Sequence, residues 1–343
     1  MILSIVVNAL RLFSSRVLKK LIRSALEALE KKNASFATYH FRPQKAADCH
    51  FIPVRGHSNT GIVMQGPPLF DDEFTIQTLQ LYRQMYPDCR IILSTWNDVP
   101  KEWLQQAENL SVDVCLNRKP ERTGIANLNF QIASSRAGIE KARSLGLKHI
   151  LKTRTDQRFY CPDTLNLLHA ILNKYAPASL GASARILAVS LNSFRFRPYS
   201  VSDMFLFGTI EDQERFWSAP LDPREGKPDF PTLGSWSRAE MAEVYLVANY
   251  LRALGWQPDF TLKDSWAAFR DLFSIVDASM IDLYWPKYER FLEHRYPAYS
   301  LRTDAQLTHA FWLALYEGSA KIDSAPEAVL KRPFGTTFAM EEL

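Results

Sequence analysis

The sequence predicts an α/β protein with a mostly parallel central sheet flanked by helices. Three observations carry this. Apolar runs of strand length end in turn residues, segments of helical periodicity separate them, and polar residues collect where successive runs stop. At 343 residues and 47% hydrophobic content, the chain has ample material for a core and makes one large or two modest domains. A formal charge of +4 is too mild for the concentrated basic face of a nucleic-acid binder, so no such partner is expected. Cys49, Cys89, Cys115 and Cys161 form no CxxC pair, which excludes a zinc knuckle or redox motif and fits free thiols in a reducing cytoplasm.

The elements follow in order. Met1 to Leu10 is apolar but has no basic segment ahead of it and is too short to span a bilayer. Arg11, Arg16, Lys19, Lys20 and Arg23 then interleave with Leu12, Phe13, Val17, Leu18, Leu21 and Ile22. That is a basic amphipathic helix, either packed on the body or lying on the cytoplasmic face of an anionic membrane. Residues 40–59 lose periodicity around Pro43, Pro53, Gly56 and Ser58 and read as a linker.

Gly61-Ile62-Val63-Met64-Gln65-Gly66-Pro67-Pro68 is a buried strand running into a turn. Phe74, Ile76, Leu79, Leu81, Tyr82 and Met85 recur at helical spacing until Pro87. Residues 90–96 form a second strand, 103–107 a short helix and 112–116 a third strand. A helix over 131–145 stops at Gly146, and 148–154 is the fourth strand. Beyond it, 185–196 and 203–208 read as strands and 238–254 as a helix. Residues 265–299 are dense in aromatics, among them Trp266, Trp285, Phe291, Tyr296 and Tyr299, which read chiefly as core. The tail after Ser319 carries no functional signal and is expected to fray.

Ligands of parallel sheets bind beyond the carboxyl ends of the strands. Three strand ends here are polar: Gln65-Gly66-Pro67, Ser94-Thr95-Trp96 and Arg154-Thr155-Asp156. Asn127, Asn129 and Gln131 add amides at a helix start, either as caps or as partners of a sugar hydroxyl. Lys152, Arg154 and Arg158 surround Asp156, which suits an anionic ligand such as a nucleotide-sugar, held directly or through a metal ion. In the second half, Asp203 lies at a strand start and Glu243 on a helix beside Glu240. Either acid could deprotonate an acceptor hydroxyl.

These motifs resemble the WavE family of lipopolysaccharide-synthesis proteins. The carrying residues are Gln65-Gly66-Pro67, Ile92-Leu93-Ser94-Thr95-Trp96, Asn127-x-Asn129-x-Gln131, Leu151-Lys152-Thr153-Arg154-Thr155-Asp156, Ser202 to Gly208 and Ala242-Glu243-Val244-Tyr245-Leu246. The resemblance implies a glycosyltransferase A-like fold and transfer of a sugar from a nucleotide-sugar donor to a lipopolysaccharide core or related surface glycan. The donor contacts expected on these motifs are Gln65, Gly66, Ser94, Thr95, Trp96, Asn129, Lys152, Arg154 and Asp156, and the charge of Arg158 adds it to them. Glycosyltransferases of this fold commonly carry Asp-x-Asp for Mn²⁺ or Mg²⁺, whereas this chain offers only Asp156. A non-catalytic scaffold of the same pathway and a sugar nucleotidyltransferase are the alternatives; GxGxxG, GxxxxGK[ST], HExxH and GxSxG are all absent. The expected organisation is an amphipathic helix and linker over 1–59, a transferase domain over 60–320 with donor (60–160) and acceptor (161–320) halves, and a tail over 321–343. The expected location is cytoplasmic, with peripheral contact to the inner membrane.

Overall fold

The computed structural model describes residues 13–33, 36, 41–177, 181–226, 229–289 and 305–336. Met1 to Leu12 and the aromatics Phe291, Tyr296 and Tyr299 lie outside them. The chain forms two compact units, Met1–Pro43 and Gln44–Leu343, dividing upstream of the boundary expected at 59/60. Much of the expected linker belongs to the second unit: Ala46 is buried, and Cys49, Phe51 and Val54 pack against the core. The first unit contains helix α1, Ser15–Asn33.

The second unit is built on β1 (Thr60–Gln65), α2 (Phe74–Met85), β2 (Arg90–Trp96), α3 (Lys101–Asn109), β3 (Asp113–Asn117), α4 (Leu128–Ser144) and β4 (His149–Arg154). Then come β5 (Arg158–Phe159), α5 (Thr164–Lys174), β6 (Ile186–Val189), β7 (Leu206–Thr209), α6 (Ile210–Trp217), α7 (Leu233–Arg238) and α8 (Glu243–Ala253). The chain closes with α9 (Leu262–Leu272), β8 (Phe273–Val276), β9 (Leu283–Tyr284), α10 (Pro286–Glu289) and α11 (His309–Glu317).

Seven strands form one sheet in the order β3-β2-β1-β4-β7-β6-β8, and β5 pairs with β9 apart from it. The first four strands are mutually parallel, β6 and β8 are parallel, and β7 runs antiparallel to both its neighbours, β4 and β6. All six residues of β1 are buried, as a strand covered by helices on both faces requires. Helix α4 comes so close to the sheet that a Cβ on Gly138 would stand 2.4 Å from Val63 Cγ1.

Three expected elements are shorter or broken. The strand expected over 185–196 ends at Val189, where serines take over the backbone: Ser193 Oγ donates to the Val189 carbonyl and accepts from Ser202 N. The strand expected to begin at Asp203 begins at Leu206. The helix expected over 238–254 breaks between α7 and α8, with Glu240 and Ala242 at φ of 49° and 42°. Arg224 stabilises that break by donating to the carbonyls of Ala239 and Glu240. Glu240 is therefore no neighbour of Glu243 on a helix; it pairs with Arg252. The tail is docked as far as residue 336: Val329 and Leu330 are buried, and Glu327 accepts from the Leu262 and Lys263 amides at the start of α9. Among the described residues, no helix is long and apolar enough to cross a membrane.

Candidate functional site

Because β1, β2 and β4 are parallel and adjacent, Gln65, Trp96 and Arg154 all end on one edge of the sheet. The loops after β1 and β4 are joined there. Thr155 N donates to the Gln65 carbonyl (3.1 Å), and Thr155 Oγ1 donates to the Pro67 carbonyl (2.6 Å). Thr75 Oγ1 in turn donates to the Thr155 carbonyl (2.8 Å). Gly66 turns at φ +112°, a conformation few other residues adopt, and a Cβ there would lie 3.2 Å from Thr155 Oγ1.

Beyond this junction, Arg154 and Asp156 make a two-pronged pair, Nε to Oδ1 at 2.7 Å and a terminal nitrogen to Oδ2 at 2.9 Å. Trp285 Nε1 donates to Asp156 Oδ2 at 3.1 Å, and the Arg154 guanidinium lies 5.5 Å from the Trp285 ring centre. Burial works against the Asp156 charge, but the hydrogen bonds from Arg154 and Trp285 outweigh it and hold the carboxyl below its ordinary range. The sequence placed Trp285 among core aromatics; its role depends on a partner 129 positions away, which no local pattern reveals.

The antiparallel direction of β7 brings the residues before it to the same edge. Lys152 Nζ, fully buried, donates to the Asp203 carbonyl (2.6 Å), stands 3.8 Å from Asp203 Oδ2 and lies 4.5 Å from the centre of the Trp217 ring. Burial pushes the Lys152 ammonium down to about 8, an effect partly offset by Asp203. Asp203 Oδ2 is buried without a hydrogen-bond partner among the described residues. Glu243, half-buried, is the first residue of α8. Burial raises its carboxyl to about 7, the charge of Asp203 adds to the rise, and Arg197 opposes it. Lys152, Asp203 and Glu243 thus form one electrostatic group, bringing together both expected catalytic acids.

Several residues expected as donor contacts have their polar groups engaged within the fold. Arg158 is 1% exposed and gives its hydrogen bonds to Thr78 Oγ1, Tyr160 Oη and the carbonyls of Gln44 and Phe74. Asn129 is consumed by a two-way exchange with the Asp222 backbone, at 2.9 and 2.6 Å, and by the Arg122 carbonyl. Ser94 Oγ donates to the Ser134 carbonyl and accepts from Asn117, while Gln65 Oε1 accepts from Ser134 Oγ. Lys152 is sealed from solvent, and its ammonium meets Asp203 and the Trp217 ring. Thr95 is fully buried and Trp96 is 3% exposed, packed edge-on against Phe130. These residues shape the wall behind the site.

A divalent ion at Asp156 does not fit the donor set. Both carboxylate oxygens are taken by Arg154 and Trp285, a cation is the nearest partner, and the described residues bring no three His, Cys, Asp or Glu side chains together as ligands.

Two solved structures are remotely similar to this chain. A cytidylyltransferase from Leptospira borgpetersenii serovar Hardjo-bovis (strain JB197) is 11% identical, covering 82% of this chain and 99% of that one, with a TM-score of 0.36. A putative glucose-1-phosphate thymidylyltransferase from Bacillus anthracis is 12% identical, covering 64% and 86%, with a TM-score of 0.32. Both likenesses are remote, and the chemistry is read from this chain's own residues. No curated protein matches the sequence significantly. Residues 61–265, more than half of the chain and all of the site's strand ends, match the family model described as WavE lipopolysaccharide synthesis, and the chain belongs to that family.

Proposed function

We propose that the protein is a glycosyltransferase of the A-type fold, moving a sugar from a nucleotide-sugar donor to a lipopolysaccharide core or related surface-glycan acceptor with inversion at the anomeric carbon. The observation that carries this is Glu243, a half-buried carboxyl raised to about 7 beside Asp203, at the edge where the strands β1, β2 and β4 end. A base whose pKa lies near the working pH combines a useful deprotonated fraction with a strong pull on the proton. The strand order, with one antiparallel strand inside an otherwise parallel sheet, supports the A-type reading.

In this scheme the acceptor hydroxyl lies against Glu243. Its oxygen attacks the anomeric carbon, its proton passes to the Glu243 carboxylate, and the bond from that carbon to the diphosphate oxygen breaks with its electron pair on the leaving group. Arg154, oriented by Asp156 and Trp285, supplies positive charge on the donor side. Lys152 holds Asp203 in place beneath the acceptor. No step is routed through a metal.

Nucleoside diphosphates and nucleotide sugars, with and without Mn²⁺, are to be screened by thermal shift on the wild type and on Asp156→Asn, followed by a turnover assay on Glu243→Gln. The reading expects a shift with at least one nucleotide that Asp156→Asn loses, and turnover that Glu243→Gln abolishes while keeping that shift. No shift with any nucleotide would instead favour a non-catalytic scaffold. Pyrophosphate release from a nucleoside triphosphate would favour a nucleotidyltransferase.

A further inference from the structure

Helix α1 can be considered apart from the chemistry of the site. Each residue of an α-helix advances the side-chain direction by roughly 100°, so the 19 residues of Ser15–Asn33 can be placed around its circumference. Val17, Leu18, Leu21, Ile22, Ala25, Leu26, Ala28 and Leu29 fall on one continuous half. Four of its large residues are exposed, Val17 38%, Leu21 47%, Ile22 39% and Leu29 49%, while Leu18 and Leu26 are half-buried. Most helices of soluble domains bury such a face, which supplies most of their stability.

The rest of the helix is strongly cationic: Arg16, Lys19, Lys20, Arg23, Lys31 and Lys32 stand against Glu27 and Glu30. Lys19 flanks the apolar half next to Leu26, with its ammonium 5.1 Å from the Phe41 ring centre, and Lys31 lies toward the other border. Arg23 pairs with Glu27 at 3.0 Å. Lys32 lies in the last turn, where a cation also complements the helix end. An exposed apolar face on a helix with six cations and two acids suits an anionic lipid interface, where long Lys side chains reach up to phosphate headgroups.

We propose that α1 is a membrane-surface helix that docks the protein on an anionic lipid bilayer, with Val17, Leu21, Ile22 and Leu29 in the acyl boundary and Lys19, Lys20 and Lys31 among the headgroups. At roughly 1.5 Å per residue it lies about 28 Å along the surface.

The test is co-sedimentation of the full chain with vesicles of phosphatidylcholine alone or mixed with phosphatidylglycerol, for the wild type, Leu21→Gln/Ile22→Gln and Lys19→Glu/Lys20→Glu. Sedimentation velocity and far-ultraviolet circular dichroism on the same samples report self-association and folding. The wild type should partition onto the mixed vesicles at least tenfold more strongly than onto phosphatidylcholine, and less so as salt rises. Each double variant should lose about tenfold or more while the second unit stays folded. Three results overturn the proposal: no binding to mixed vesicles, equal binding to both compositions, or a concentration-dependent dimer that Leu21→Gln/Ile22→Gln abolishes.

Discussion

Replacing Arg158 separates a structural from a ligand-binding role for one of the two arginines that lie two residues from Asp156. Its guanidinium is 1% exposed and makes hydrogen bonds of 2.8 Å to Thr78 Oγ1, 2.7 Å to the Gln44 carbonyl, 3.1 Å to Tyr160 Oη and 2.9 Å to the Phe74 carbonyl. Arg158→Ala removes a charged donor from all four at once and leaves the Gln44 carbonyl without it. A bond from a charged donor contributes about 1.5–3 kcal/mol, and breaking a buried charged network costs about 3–5 kcal/mol once the site relaxes. The guanidinium also stacks 4.5 Å from the Phe74 ring centre, contact that alanine forfeits. The expected loss is therefore about 4 kcal/mol, roughly 8 °C in Tm for a unit of this size. Thermal unfolding followed by circular dichroism measures it, with nucleotide binding titrated well below the lowered midpoint. Arg158→Lys, keeping the charge but not the planar fork, should lose about half as much. A variant with unchanged Tm and abolished nucleotide binding would refute the structural assignment.

Four further outcomes are expected. The acid limb of kcat/KM should fall with an apparent pKa near 7, because Glu243 works deprotonated, and Glu243→Gln should remove turnover by about a hundredfold or more without changing Tm by more than a few degrees. Arg224→Met should lower kcat about tenfold with KM for the donor nearly unchanged, because it frees the carbonyls of Ala239 and Glu240 in the connector that positions Glu243. Gly138→Ala should destabilise by about 2–3 kcal/mol in urea unfolding, its Cβ meeting Val63 and Ser94. His169, held down to about 4 by burial and then by His149 and His57, stays neutral in the folded state, whereas the unfolded chain takes up a proton below about 6.5. Stability should therefore drop as pH falls from about 6.5 to 4, by up to about 2 kcal/mol, and His169→Leu should flatten that part of the pH curve.

What could be read from sequence follows from how local each cause is. β1, β2 and β4 are buried on both faces, so their composition alone marks them, and Gly66 and Gly146 punctuate their neighbourhood. The edge on which the site lies then follows from strand polarity. Asp203 was read at a strand start and Glu243 within a helix, whereas the fold places Asp203 in the loop before β7 and Glu243 at the start of α8, where the charge of Asp203 acts on it. Roles set by distant partners were not legible: Arg158 is claimed by Gln44, Phe74 and Thr78, and Asn129 by Asp222, 93 positions away. The break before Glu243 has no Gly or Pro to announce it, since Arg224 creates the alternative to helix from outside the segment. The direction of β7 was equally hidden, because pairing on both its sides decides it.

That reversed strand has a consequence for how the protein can vary. β6 leaves the sheet at the same edge where β7 returns to it, so residues 190–205 form an excursion with both feet on the site side. Lengthening or shortening such an excursion recontours the wall around Asp203 and leaves every strand in register, whereas the junction through Thr155 ties the opposite wall to two strands at once. One side of the cleft is free to change its clientele while the other stays fixed.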